Sequence, residues 1–188
     1  MAQVTRLSAQ DASFLYVESN AAFMQDGALC MLDRVTIGTD EILQRLRQRI
    51  TNASVLRKRL YEVPGKISHP VLVEDPDFDM EAHVRKLPTP TPYDVARACG
   101  LLEQLLSVPM NRAKPLWGIW LFDMQDERTG MVIVVHHCIL DGMGALHVFQ
   151  SLLADEGLGP ASADSDAGAS RPEATAHPNA VSGSTVSP

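Results

Sequence analysis

Up to about Ala154 the hydrophobic positions of this chain follow two alternating rhythms. Ile42, Leu43, Leu46 and Ile50 recur at three- and four-residue spacing, the stripe of an amphipathic helix with its cap read at Thr39. Val95, Ala98, Leu101, Leu102, Leu105 and Leu106 repeat the pattern behind a cap at Asp94. Ser8 with Asp11 reads as a capping box that opens a short helix through Phe14 and Leu15. Extended runs fall at 28–35, 56–63, 71–74, 116–123 and 130–136. Pro64-Gly65 turns the second run into the third, and 126–130 turns the last two into a hairpin. Pro88, Pro90 and Pro92 stiffen the connection before Asp94. A last helix is expected over 142–153. The order predicts a mixed α/β domain of the α+β type, with a mostly antiparallel sheet flanked by helices.

Composition divides the 188 residues into a domain over 1–156 and a tail over 157–188. The tail is mostly Ala, Ser, Pro, Gly and Asp, without an aromatic residue, and is expected to be disordered because it has too little to bury. Sixteen basic against 23 acidic residues give a net charge of -7, which disfavours nucleic acid as a partner. Arg45, Arg47, Arg49, Arg57, Lys58 and Arg59 read as a solvated helix face and the strand after it. Cys30, Cys99 and Cys138 are too few and odd in number for a disulfide framework, so a reducing, cytoplasmic setting is expected. Arg6, Asp11 and Glu18 interrupt any secretory pattern. The longest apolar runs fall far short of the ~20 residues of a spanning helix. Contact with a membrane surface stays open.

The chemistry concentrates in Met131-Val132-Ile133-Val134-Val135-His136-His137-Cys138-Ile139-Leu140-Asp141-Gly142-Met143-Gly144. Neighbours on an extended strand point to opposite faces, so His136 and His137 should not share a task. Asp141 follows on a loop that can fold back, and Gly142 permits a left-handed turn or a close approach of substrate. Imidazole is the side chain best matched to taking a proton at neutral pH. Three alternatives compete with a catalytic histidine. The pair can be structural. His136, His137, Cys138, Asp141 and His147 can ligate metal, although divergent neighbours make a shared ion awkward, and no metal is expected. Cys138 can be a nucleophile, although its neighbour His137 should point away from it.

His136-His137-Cys138-Ile139-Leu140-Asp141-Gly142 resembles the HHxxxDG signature of the coenzyme-A-dependent acyltransferase superfamily, which includes chloramphenicol acetyltransferase, carnitine acyltransferases and peptide-synthetase condensation domains. Leu7-Ser8-Ala9-Gln10-Asp11-Ala12-Ser13-Phe14-Leu15 is similar to the opening of bacterial wax ester synthase/diacylglycerol acyltransferases. Pro115-Leu116-Trp117 resembles the PLW motif of the same family. The resemblance covers about residues 5–155.

That resemblance implies one half of a chloramphenicol-acetyltransferase-like fold and an O-acyltransferase. His137 would be the general base, His136 structural support and Asp141 the organiser of the loop, pairing with an arginine or with backbone amides. Gly142 and Trp117 are expected beside the substrate, and Trp117 and Trp120 are expected to pack the sheet that carries the site. Acyl-CoA would serve as co-substrate with no cofactor. The acceptor would be diacylglycerol or a long-chain alcohol, as in triacylglycerol or wax ester synthesis. Such acceptors imply a peripheral position at the inner membrane or on lipid droplets. Family members set two similar domains around a tunnel, so a second-half acyltransferase domain or self-association is expected to complete the site. The chain can equally be a fragment, half of a split enzyme, or a non-catalytic truncated paralogue that binds lipid, acyl-CoA or a partner half.

Overall fold

The computed structural model describes residues 4–32, 38–140 and 148. The helix expected over 142–153 and the tail over 157–188 lie outside the described residues, apart from Val148, which is helical.

Two sheets organise the chain. The larger holds β2 (Gln25–Leu32), β7 (Thr129–His136), β6 (Trp117–Asp123) and β5 (Val84–Lys86), in that spatial order. β2 pairs with β7 and β7 with β6 antiparallel, while β5 joins β6 in parallel. The smaller antiparallel sheet runs β1 (Thr5–Arg6), β4 (Val71–Glu74), β3 (Lys58–Tyr61). The helices are α1 (Ala9–Val17), α2 (Thr39–Asn52), α3 (Met80–His83) and α4 (Val95–Leu106). The fold is therefore the mixed, mostly antiparallel α/β arrangement expected.

Every residue of β7 is buried. It is an inner strand covered on both faces, which is why its sequence is a continuous β-branched run and not an alternation. On one face Trp117, Ile119, Leu121, Met131, Ile133 and Val135 meet Ile42, Leu46 and Ile50 of α2. Each such aliphatic side chain fully buried is worth about 1.5–3 kcal/mol. On the other face Phe122, Val132 and Val134 meet α4 through Ala98, Leu101, Leu102, Leu105 and Leu106. Gly27 lets α4 settle on β2, because a Cβ there would come within 2.6 Å of a Leu102 methyl.

Local signals explain the helix starts. Ser8 accepts from the Asp11 backbone N–H at 3.0 Å and donates its hydroxyl to the Asp11 carboxylate at 2.7 Å. Asp94 accepts from the Arg97 N–H at 2.7 Å. Thr39 departs from expectation: Gly38 is the cap, without a side-chain hydrogen bond, and Thr39 is the first helical residue. Its hydroxyl donates to Asp123 at 2.5 Å and lies 3.0 Å from the Thr129 hydroxyl, tying α2 to the base of the β6–β7 hairpin. Two further expectations shift. The run read at 28–35 begins three residues earlier, at Gln25, and is only half-buried, because β2 is an edge strand; 33–35 lie outside the described residues. The run read at 56–63 is strand only over Lys58–Tyr61, preceded by a 3-10 turn.

Candidate active site

β7 ends at His136, and the ladder continues one residue further, because the His137 backbone N–H donates to the Met24 carbonyl at 2.9 Å. The two imidazoles then part. His136 is 1% exposed. Its Nδ1 accepts from the Cys138 backbone N–H at 3.1 Å, so the ring proton sits on Nε2. That Nε2 lies 3.4 Å from a carboxylate oxygen of Glu18, an electrostatic contact at the long limit of a hydrogen bond. Burial holds the imidazole below its ordinary value, against the opposing pull of the Glu18 charge. Burial therefore favours the neutral ring.

Glu18 sits just past the end of α1, and Arg112 reaches it from the loop after α4. Arg112 donates to the Glu18 carboxylate at 2.5 Å and to the Leu15 carbonyl at 3.2 Å. Burial raises the Glu18 carboxyl, but the Arg112 hydrogen bond with the His136 and Arg112 charges outweighs it and leaves the group lowered. Arg112, Leu15, Tyr16, Glu62 and Pro70 also line an open groove.

His137 keeps 28% of its side chain exposed. Phe14 of α1 stacks on its ring, with centroids 4.7 Å apart and planes 16° from parallel. Its Nε2 lies 3.0 Å from Asp26 Oδ1, on β2. Its Nδ1 is buried, with no hydrogen-bond partner among the described residues.

The expected divergence of the two histidines is thus seen. Asp141, Gly142 and His147 lie outside the described residues. Trp117, expected both to pack the sheet and to stand beside the substrate, is 3% exposed and does only the first, packing inside the domain. Its indole N–H donates to the Leu56 carbonyl at 2.6 Å and its ring stacks on His83. An inward-facing position on the inner strand β6 accounts for this. Cys138 is a poor nucleophile: burial pushes its thiol up to about 12. Sequence reasoning missed Asp26, Glu18 and Arg112. Their only linear signal is that each is a charge set within or beside an apolar segment.

The fold is one that a wax ester synthase/diacylglycerol acyltransferase and peptide-synthetase condensation domains share. Among solved structures, the wax ester synthase/diacylglycerol acyltransferase from Marinobacter aquaeolei superposes with a TM-score of 0.65 at 26% identity, over 78% of this chain and 37% of that one. The first condensation domain of the CDA synthetase shares the fold alone, with a TM-score of 0.63 at 14% identity, over 80% of this chain and 37% of that one. Within the class, the chain belongs to the wax ester synthase/diacylglycerol acyltransferase catalytic domain family, which it matches over residues 7–184. A Mycobacterium tuberculosis relative named as a diacylglycerol O-acyltransferase is 33% identical over 155 residues, which is 80% of this chain and 33% of the relative. Another, named tgs3, is 32% identical over 148 residues, which is 77% of this chain and 55% of the relative. The chain therefore spans between a third and about half the length of these relatives.

Proposed function

We propose that this chain is the base-bearing part of an O-acyltransferase that moves a fatty acyl group from acyl-CoA to the hydroxyl of diacylglycerol or a long-chain alcohol. The observation that carries the reading is His137: a partly exposed imidazole, braced by Phe14 and Asp26 at the end of an inner strand, in a chain of this family. In the proposed reaction His137 takes the proton from the acceptor hydroxyl. The oxygen attacks the thioester carbonyl, the tetrahedral intermediate expels the CoA thiolate, and the imidazolium returns the proton to sulfur. Acyl-CoA is co-substrate and no cofactor enters. A base alone contributes about 10²–10⁴-fold; holding thioester and hydroxyl together and stabilising the oxyanion supply the rest. The relatives' remaining length is the proposed source of those donors, whether as a second-half domain or through a second copy. Among the described residues no helix is long and apolar enough to cross a membrane. The proposed location is cytoplasmic, with the acceptor met at the inner membrane or a lipid droplet.

The test is a chimaera in which this chain replaces its matching segment in a mycobacterial relative, assayed with palmitoyl-CoA and diacylglycerol or hexadecanol. Transfer that vanishes with His137→Ala supports the reading. A folded chimaera that binds acyl-CoA yet transfers nothing, or one indifferent to His137→Ala, contradicts it.

A further inference from the structure

Phe14 reaches His137 because of how α1 is seated. Ala12 and Leu15 are the buried residues of this helix, and they pack with Leu60, Leu72, Leu116 and Cys138. Phe14 precedes Leu15 by one position, about 100° around the helix, so it stands half-buried at the border of that core. The last turn of α1 holds no basic residue, and its free carbonyls lack the cation that a helix C-terminus favours. Arg112 supplies one from 97 residues away, donating to the Leu15 carbonyl at 3.2 Å and to the Glu18 carboxylate at 2.5 Å. The Glu18 backbone N–H closes the same turn onto the Phe14 carbonyl at 3.2 Å.

The strand fixes where the Cβ of His137 stands but not the plane of its ring, because χ2 of a histidine is a broad torsion. The Phe14 ring sets that plane. The two rings stack with centroids 4.7 Å apart and planes 16° from parallel, so turning the imidazole about Cβ–Cγ would swing its edge towards the phenyl face. A general base works only when it is aimed at the proton it takes. We infer that Phe14 is a positioning residue for His137: it holds the imidazole in the plane from which it meets the acceptor hydroxyl, and Arg112 keeps it there by clamping the last turn of α1. The catalytic part of this inference rests on the acyl-transfer reading above. The ring geometry does not.

The test has two arms. In the ¹³C-labelled full chain, the His137 ring protons, assigned by His137→Gln, should lie upfield, because a phenyl ring shields what sits over its face. Phe14→Leu should move them downfield, and Arg112→Met should move them part of the way. Ring protons unmoved by Phe14→Leu overturn the inference, and ring protons unmoved by Arg112→Met overturn the clamp. In the chimaera, Phe14→Leu should lower kcat about 10- to 100-fold with KM within about twofold. Phe14→Tyr, which keeps the ring, should recover most of that loss, and Phe14→Met replaces Phe14→Leu where the latter does not fold. Unchanged kcat in the ringless variant, equal losses in the ringless and tyrosine variants, or a loss confined to KM overturns the inference. If the parent chimaera shows no transfer at all, the functional reading fails and the spectra alone decide the ring geometry.

Discussion

His136 and His137 share a peptide bond but almost nothing of their surroundings. The first is 1% exposed and tied through Glu18 to Arg112. The second is 28% exposed, with Asp26 at its edge and Phe14 stacked on its face. The extended backbone creates the difference, because it sends neighbours to opposite faces of the sheet. A strand end can therefore supply a brace and a reagent from two consecutive residues. The brace matters because Glu18 and Arg112 join the end of α1, the loop after α4 and the end of β7. α1 in turn carries Phe14 to the second ring.

The contrast can be broken from either side. The largest effect is expected from His137→Ala in the active chimaera, a loss of about 10²–10⁴-fold in acyl transfer with a melting temperature within a degree or two of the parent. Next, His136→Ala should cost about 2–4 kcal/mol, by emptying a packed site and leaving the Cys138 amide without its partner. Chemical denaturation reads this directly. Arg112→Met should cost about 1–3 kcal/mol through the carboxylate it strands, and the same measurement applies.

The pH dependence follows from the same network. The folded His136 imidazole lies below its ordinary 6.5, so the unfolded chain takes up the proton first as pH falls. Its contribution is complete above about 6.5 and is lost towards the lower folded value. Glu18 is held below its ordinary 4.5, so its contribution is lost only in stronger acid. Between pH 7.5 and 5 the parent melting temperature should therefore fall further than that of His136→Gln. Parallel curves would remove His136 from this role. The smallest effect is expected at Cys138, where Cys138→Ala should change transfer by less than about twofold, because a thiol pushed up to about 12 supplies no thiolate at neutral pH.

Much of the frame is written locally. The Ser8 and Asp94 caps, the α2 and α4 stripes and the β6–β7 hairpin each depend on residues within a few positions of one another, and each formed as the pattern predicted. The parallel pairing of β5 with β6 was not legible, because three residues after a one-turn helix carry no periodicity. Thr39 was read as a cap from its type, but it bonds Asp123, 84 residues away. In the candidate site the histidines were legible because they are adjacent to each other and to a motif. Asp26 and Glu18 were not. Each lies more than a hundred residues before the histidine it meets, and only the β2–β7 register and the α1 approach bring them there.

The division of labour between the two histidines is tested most directly by single-turnover acyl transfer in the chimaera, normalised to folded protein, with His136→Ala and His137→Ala side by side. The predicted result is transfer within about tenfold of the parent for the folded fraction of His136→Ala and a loss of at least about 10²-fold for His137→Ala. Equal losses in the two variants at equal stability would contradict it.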